Sequence, residues 1–334
     1  MHVLIIGGTG TISRAIVQSL LRRGHEVTLF NRGQRADPPP AEARVITGDR
    51  RDREAFEAAI GQGSYDAAID MISFSADDAA SALRALRGRV GHFVQCSTVM
   101  TYGPPFAALY QDEAAPLNGR HDGGYGAGKV AADELLLRAH QEEGFPATVV
   151  KPSFTYGPGA NLLHQADWGS AWIDRLRKGK PIISVGDGTN YFQFMPAPDA
   201  GEGFAMLLGR QEAFGEVYNL VHPEPLTWDE WARATAEALG VEAQLAHVPA
   251  DTLVALSAER YGHLPKNFAH TQVFSGAKLS RLLPDWLPAT PRIDAISQTI
   301  GWMEANNRIS DSDDDTLEDR IIAAIRGLPE SFAP

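Results

Sequence analysis

The sequence predicts an α/β chain organised on a doubly wound parallel sheet, and three observations carry that prediction. Short apolar runs alternate with helical patterns through residues 1–150. A glycine-rich turn, Gly7-Gly8-Thr9-Gly10, directly follows the first of those runs. Far downstream, Tyr125-Gly126-Ala127-Gly128-Lys129 opens another helical pattern.

The apolar runs at 3–6, 27–30, 44–46, 67–70, 92–96 and 148–150 have the length and composition of strands covered on both faces. Helical periodicity occupies 11–23, 53–60, 77–86 and 125–142 between them. Gly24-His25 stops the first helix, and Gly144-Phe145-Pro146 stops the last. Strands spaced by helices in this way form a Rossmann-type domain, placed at residues 1–160 with chain crossings later in the sequence. Beyond residue 150 the pattern is less regular and richer in Pro, Gly and Trp. Helices are expected there at 171–178, 200–208, 228–239, 250–259 and 294–304, with strands at 182–185 and 216–220. Residues 161–310 are therefore assigned mainly to a smaller C-terminal α/β substrate lobe. The remainder, 311–334, reads as a solvated acidic turn around Asp313-Asp314-Asp315, followed by an amphipathic docking helix at 317–325.

Composition narrows the function classes. No apolar run approaches the roughly 20 residues needed to span a bilayer, so no membrane partner is expected. The first strand begins at once, without a basic-fronted leader, and Cys96 is the sole cysteine; both features point to a cytoplasmic protein. A net charge of −12 disfavours nucleic acid as a partner. No His/Cys/carboxylate cluster has metal-ligand spacing, so no catalytic metal is expected.

The glycine turn suits a dinucleotide diphosphate. Gly7 permits the tight exit from the strand, and Gly10 lets backbone approach the pyrophosphate. The helix beginning at Thr11 then directs free N–H groups and its positive end toward the phosphates. Ser13, the third small position, lets that helix pack near the strand. A carboxylate about twenty residues past such a turn usually marks the ribose hydroxyls of NAD. Here Phe30 is followed by Asn31 and Arg32, with Arg35 nearby, and a guanidinium pairs with a 2′-phosphate. NADP is favoured over NAD. If Arg32 instead stacks on adenine or faces solvent, NAD remains acceptable. Asp49, after the third strand, could receive the adenine amino group.

Tyr125 and Lys129 supply proton chemistry. An unperturbed phenol has a pKa near 10, so its ionised form costs roughly 4 kcal/mol at neutral pH. A lysine four residues on lies one turn away on the same helix face. Its ammonium, beside the positive nicotinamide of an oxidised cofactor, is expected to lower that cost and make Tyr125 a usable base. A hydroxyl must also hold the substrate oxygen, and Ser97 and Thr98 follow the fifth strand at the carboxyl edge where such sheets bind ligands.

Taken with these motifs, the sequence resembles the extended short-chain dehydrogenase/reductase family, in its NAD(P)-dependent epimerase/dehydratase branch, over roughly residues 1–307. The run Cys96-Ser97-Thr98-Val99-Met100-Thr101-Tyr102-Gly103 is similar to the family segment that carries the catalytic hydroxyl, and its register assigns that role to Thr98. Tyr125 and Lys129 match the family's tyrosine base and its lysine. The stretch from Lys151 through Pro152, Phe154 and Tyr156 to Gly159 resembles the segment flanking nicotinamide and substrate. The resemblance implies cofactor contacts at Thr9, Ile12, Arg50, Met71, Ile72, Ser97, Pro152 and Phe154 besides those named above, and substrate contacts at Ser73 and Met100. It also implies a homodimer.

The chain departs from the family pattern in several places. Lys151 stands where arginine is usual, and Asp70-Met71-Ile72-Ser73 lacks the small residues common after the fourth strand. Phe192 occupies the register of an arginine that grips the substrate diphosphate in the nucleotide-sugar members. A phenyl ring cannot make that contact. These departures bring the chain nearer a less characterised branch that includes plant chloroplast RNA-binding proteins. Trp168, Phe192 and their aromatic neighbours either line a sugar-binding cleft or fill the lobe's core, and His164 is either a substrate contact or structural. The sequence thus points to an NAD(P)-dependent oxidoreductase or epimerase. Its substrate is expected to be a small sugar- or polyol-like carbonyl compound. The alternative is a non-catalytic dinucleotide-binding regulatory or RNA-binding protein.

Overall fold

A computed structural model describes residues 1–34 and 38–331, with side chains described through residue 327. Seven strands form the main sheet: β1 (His2–Ile6), β2 (Glu26–Asn31), β3 (Arg44–Thr47), β4 (Ala67–Asp70), β5 (Phe93–Cys96), β6 (Ala147–Pro152) and β7 (Val217–Leu220). Their order is β7-β6-β5-β4-β1-β2-β3, with every neighbouring pair parallel. The chain therefore winds outward from β1 toward β3, then returns to the other side of β1 and winds outward again through β4. That reversal lies between β1 and β4, and ligands of open α/β sheets bind at the carboxyl ends of strands beside such a point.

Alternation along β1 explains the covering layers. Val3 and Ile5 enter one apolar core with Ile16, Val17 and Leu20 of α1 (Thr11–Arg22) and Phe204 of α5 (Ala197–Leu207). Leu4 and Ile6 face the other core. They join Phe56 of α2 (Arg53–Ile60), Leu83 and Leu86 of α3 (Ala76–Leu86) and Leu136 of α4 (Tyr125–Glu143). Helices on both faces are the physical reason the strands other than the edge strand β3 contain almost no exposed residue.

The chain divides into two compact units. The first comprises Met1–Thr155, Met195–Pro223 and Phe274–Ala289; the second comprises Tyr156–Phe194, Glu224–Val273 and Thr290–Pro334. Strand β7 and helix α5 thus belong to the sheet unit although they come late in the sequence.

In the second unit, Ile182–Val185 pairs in parallel with Leu245–Val248. The helix expected over 250–259 is divided into Ala250–Leu256 and Ala258–Tyr261. Ser257 between them is extended (φ −157°) and its hydroxyl caps the second helix by accepting from the Arg260 amide. The acidic tail forms an exposed turn before a helix, and its aspartates also find basic partners. Asp311 and Asp313 bind Lys178 at 2.5 and 2.6 Å, Asp313 also reaches Lys180, and Asp315 pairs with Arg260. The following helix, Leu317–Ser331, buries Ile321 and Ile322. Charges clustered in sequence have found basic partners distant in sequence.

Candidate active site

Gly7 leaves β1 with φ +88°, a conformation that disfavours any side chain, and a Cβ there would lie 2.6 Å from Ile72 Cγ2. The glycine turn and the segment after β4 are therefore in contact at the topological switch. Ser13 closes the turn by donating to the Gly7 carbonyl at 2.8 Å. Gly10 is the N-cap of α1 and offers no side-chain hydrogen bond, so the first-turn amides must be met from outside the helix. A Cβ on Gly10 would meet nothing closer than Ser13 Oγ at 3.5 Å, so that side of the turn is open. This cradle fits a diphosphate, with the N–H groups near Thr11 and Ile12 available to it.

At the end of β2, Asn31 forms a local turn by accepting from the Gly33 amide at 2.8 Å, while its buried side-chain amide nitrogen has no partner. Arg32 is exposed, and Arg35 lies outside the described residues. Asp49 is bound by Arg51 at 2.9 Å, and that contact holds its carboxyl below the usual range, aided by Arg32. The Arg50 side chain, at a position expected to meet the cofactor, is engaged within the protein. Its guanidinium is buried and donates to both Asp70 oxygens at 2.8 and 2.9 Å and to the Asp78 carbonyl. Arg50 joins the ends of β3 and β4 to α3 instead of presenting a free charge.

The proton-transfer residues come together on α4. Tyr125, Lys129 and Asp133 share one face at helical spacing. Each turn engages one residue of the segment leaving β5. The Lys129 ammonium donates to the Cys96 carbonyl at 2.6 Å, Ser97 donates to Asp133 at 2.5 Å, and Thr98 hydrogen-bonds the Tyr125 phenol. Ser97 is thus committed to a buried carboxylate, whereas Thr98 stands with the phenol. Thr98 also caps the next turn by accepting from the Met100 amide.

Electrostatics give the phenol a definite state. Tyr125 is half exposed, yet burial around the ring pushes its pKa up to about 12, with Cys96 and Asp133 adding to the rise and Thr98 opposing it. Burial dominates in the protein alone, in place of the lowering expected from Lys129. Burial also raises Asp133 to about 6, against Lys151, Ser97 and Lys129. Lys151 is itself buried over the Tyr102 ring, 4.5 Å from its centroid, and burial lowers its pKa against Asp133 and Glu113.

Phe74 is a component the sequence did not signal. Its half-exposed ring stands 6.1 Å from that of Tyr125, and the Lys129 ammonium lies 4.8 Å from its centroid. Gly128 permits this approach, since a Cβ there would sit 2.2 Å from the Phe74 carbonyl oxygen. Asp133 was legible in principle, four residues beyond Lys129.

Ser73 is fully buried, and its hydroxyl has no partner. Met71, Ile72, Met100 and Phe154 are partly buried, and Pro152 is buried at the end of β6. The second unit holds the remaining expected substrate contacts. His164 is buried and stacked on Trp172 at 5.1 Å, which makes it part of that unit's core. Phe192 is likewise a core residue, stacked on Trp228 and edge-on to Phe194 and Phe268. Aromatic packing engages both side chains. Trp168 keeps 58% of its surface exposed while resting on His263 and Phe268.

Comparison with known proteins agrees with this geometry. The NAD dependent epimerase/dehydratase family profile matches residues 3–220. The chain belongs to that family. Among its relatives is the 2′-dehydrokanamycin reductase of Streptomyces kanamyceticus, 28% identical over all of this chain and 91% of that protein. The 2-alkyl-3-oxoalkanoate reductase of Stenotrophomonas maltophilia is 26% identical over 72% of this chain and 76% of its own length. A chloroplast stem-loop binding protein of 41 kDa from Arabidopsis thaliana is 27% identical over 73% of this chain, which spans 65% of that relative. Solved epimerase/dehydratase folds superpose well. The UDP-glucose 4-epimerase of Thermotoga maritima gives a TM-score of 0.72 at 17% identity, covering 92% of this chain and 100% of that one. The dTDP-glucose 4,6-dehydratase of Bacillus anthracis in complex with NAD gives 0.71 at 19% identity, covering 92% and 97%.

Among the described residues, no group of three or more His, Cys, Asp or Glu is placed to hold a metal ion, and no helix is long and apolar enough to cross a membrane.

Proposed function

We infer that this member of the epimerase/dehydratase family is an NADP-preferring reductase, or an epimerase working through the same step, acting at a hydroxyl/carbonyl carbon of a small sugar-like substrate. The observation that carries the reading is the convergence of Thr98, Tyr125 and Lys129 beside the carboxyl end of β5. When bound, the nicotinamide supplies or takes up the hydride. The glycine turn and the first turn of α1 would hold its diphosphate, and the exposed Arg32 would pair with a 2′-phosphate. Thr98 donates to the substrate oxygen, and Tyr125 moves a proton at that same oxygen. A phenol pushed up to about 12 is protonated at neutral pH, so the free protein is set to give that proton to a carbonyl.

Two observations favour reduction over elimination of water, which requires a further acid and base. Val99 and Met100, which follow Thr98 in sequence, are uncharged, as is Phe74, whose ring lies 6.1 Å from that of Tyr125. Relatives across most of the chain are named reductases. The burial of Phe192 in an aromatic cluster argues against a nucleotide-diphosphate sugar, since no charge is offered there. The reading takes the protein as a cytoplasmic homodimer, and light scattering of the purified protein tests the oligomer. Its chemistry is tested by nicotinamide absorbance with a panel of keto-sugars, sugar lactones and polyol-derived ketones. Turnover that disappears in Tyr125→Phe supports the reading; turnover that persists there refutes it.

The stem-loop binding relative motivates a second reading, a dinucleotide-binding protein that engages RNA. A net charge of −12 weighs against it. Fluorescence anisotropy with a labelled RNA stem-loop, at two salt concentrations, separates the two.

A further inference from the structure

The acidic tail and the exposed tryptophan of the second unit are joined through one arginine. Arg260 donates twice to Asp167, at 3.0 Å from Nε and 2.5 Å from Nη2, and its other terminal nitrogen pairs with Asp315. Glu318 lies 3.9 Å from the same guanidinium, and its carboxylate also accepts from the Ile183 amide at 2.8 Å. Asp167 shapes the turn that carries Trp168, accepting from the Gly169 amide at 2.8 Å.

The tail is anchored independently on either side of Asp315. Before it, Ser310 and Ser312 bond to Ser170 and Asp174, while Asp311 and Asp313 hold Lys178. After it, Asp319 binds the fully buried Arg175 at 2.6 Å, and Ile321 and Ile322 are packed away. Asp315 is therefore delivered to Arg260 by a segment already fixed at both ends. Partly buried ion pairs joined in a network gain more than isolated exposed ones, because each added partner meets a side chain whose freedom is already restricted.

We propose that the acidic C-terminal segment is a clasp that fixes the Trp168 turn through Arg260, and that Arg260 is a positioning residue for Trp168. The proposal names a role for the Asp311–Asp319 stretch that proton and hydride transfer do not use. Its bearing on substrate binding rests on the reading of Trp168 as a substrate contact; the clasp itself does not.

Hydrogen–deuterium exchange of the full chain tests the clasp without any substrate. In Asp315→Asn, which leaves Asp167 paired with Arg260, amides of residues 163–169 should exchange at least threefold faster while the melting temperature stays nearly constant. Arg260→Gln should produce a larger increase over the same amides. If Arg260→Gln does not fold, Asp315→Asn decides alone. Faster exchange confined to residues 309–319 in Asp315→Asn would overturn the proposal, and so would exchange unchanged throughout. Acrylamide quenching of the Trp168 contribution, obtained against Trp168→Phe, should rise in step with the exchange. The question of whether Trp168 meets substrate is answered separately, by the KM of Trp168→Phe with any ketone that the wild-type protein reduces.

Discussion

The Lys129 ammonium donates to the Cys96 carbonyl across 2.6 Å, and both residues are buried. This bond ties the catalytic helix to the end of β5, one turn beyond the phenol that Thr98 hydrogen-bonds. In the proposed function, the same ammonium would hold the nicotinamide ribose. The helix thus serves as a ruler, with Tyr125, Lys129 and Asp133 each gripping a different residue of the 96–98 segment.

Removing the phenol oxygen should abolish chemistry while leaving binding intact. Tyr125→Phe is expected to lower kcat by about a thousandfold, within the range for a lost general acid. Titration by nicotinamide fluorescence should give a cofactor Kd within about twofold of wild type, because the glycine turn is untouched.

Arg32→Ala tests the cofactor preference. NADPH affinity should fall about tenfold to a hundredfold, as for loss of a charge-assisted contact to phosphate, while NADH affinity stays level. Isothermal titration with each cofactor reads this directly. Equal losses for both would mean that Arg32 serves the adenine and not a 2′-phosphate.

Gly128→Ala should destabilise the protein despite the usual preference of helices for alanine. The added Cβ would meet the Phe74 carbonyl oxygen at 2.2 Å, and backbone there must move. A loss of about 1–3 kcal/mol in urea unfolding is expected, with a lower kcat as the Phe74 ring and Lys129 are displaced. A more stable variant would show that the 73–75 segment yields freely.

His92 gives a stability term with a definite pH window. The Gly209 amide donates to its Nδ1, so Nε2 carries the hydrogen and donates to the Thr148 hydroxyl at 2.8 Å. Burial lowers its pKa from 6.5 to about 4. Between those values the unfolded chain binds the proton and the folded chain does not. The contribution is therefore complete above pH 6.5 and is lost as pH falls toward 4, about 3 kcal/mol in all. Asp133, raised by burial to about 6, runs the other way: its contribution is complete below pH 4 and is lost as pH rises through 6. The two offset each other in a raw stability curve. The wild-type minus His92→Gln difference, measured by urea unfolding at pH 7 and 4.5, isolates the histidine term and should shrink at the lower pH.

Legibility followed the range of the interactions. The α1 turn and the Tyr125–Lys129 pair could be read because helical spacing and a tight turn are local geometry. The register of the 96–103 run assigned the hydroxyl role to Thr98; that Ser97 is held by Asp133 could not be read, because Asp133 contacts the β5 end only after α4 has docked. The buried pairing of Arg50 could not be read because Asp70, its partner, lies twenty residues on at the end of another strand. The ion pairs of the tail could not be read for the same reason: its aspartates meet Lys178, Lys180 and Arg260, all remote in sequence. Phe192 and His164 were read as alternatives between core and cleft, and only packing could choose.

The interleaving of the two compact units has a consequence for biosynthesis. The outermost strand on one side of the sheet, Val217–Leu220, is translated only after a first stretch of the other unit, Tyr156–Phe194, has already been made. A nascent chain on the ribosome must therefore hold β6 with one edge unpaired until that strand emerges, and this open edge is where co-translational chaperones have most to protect.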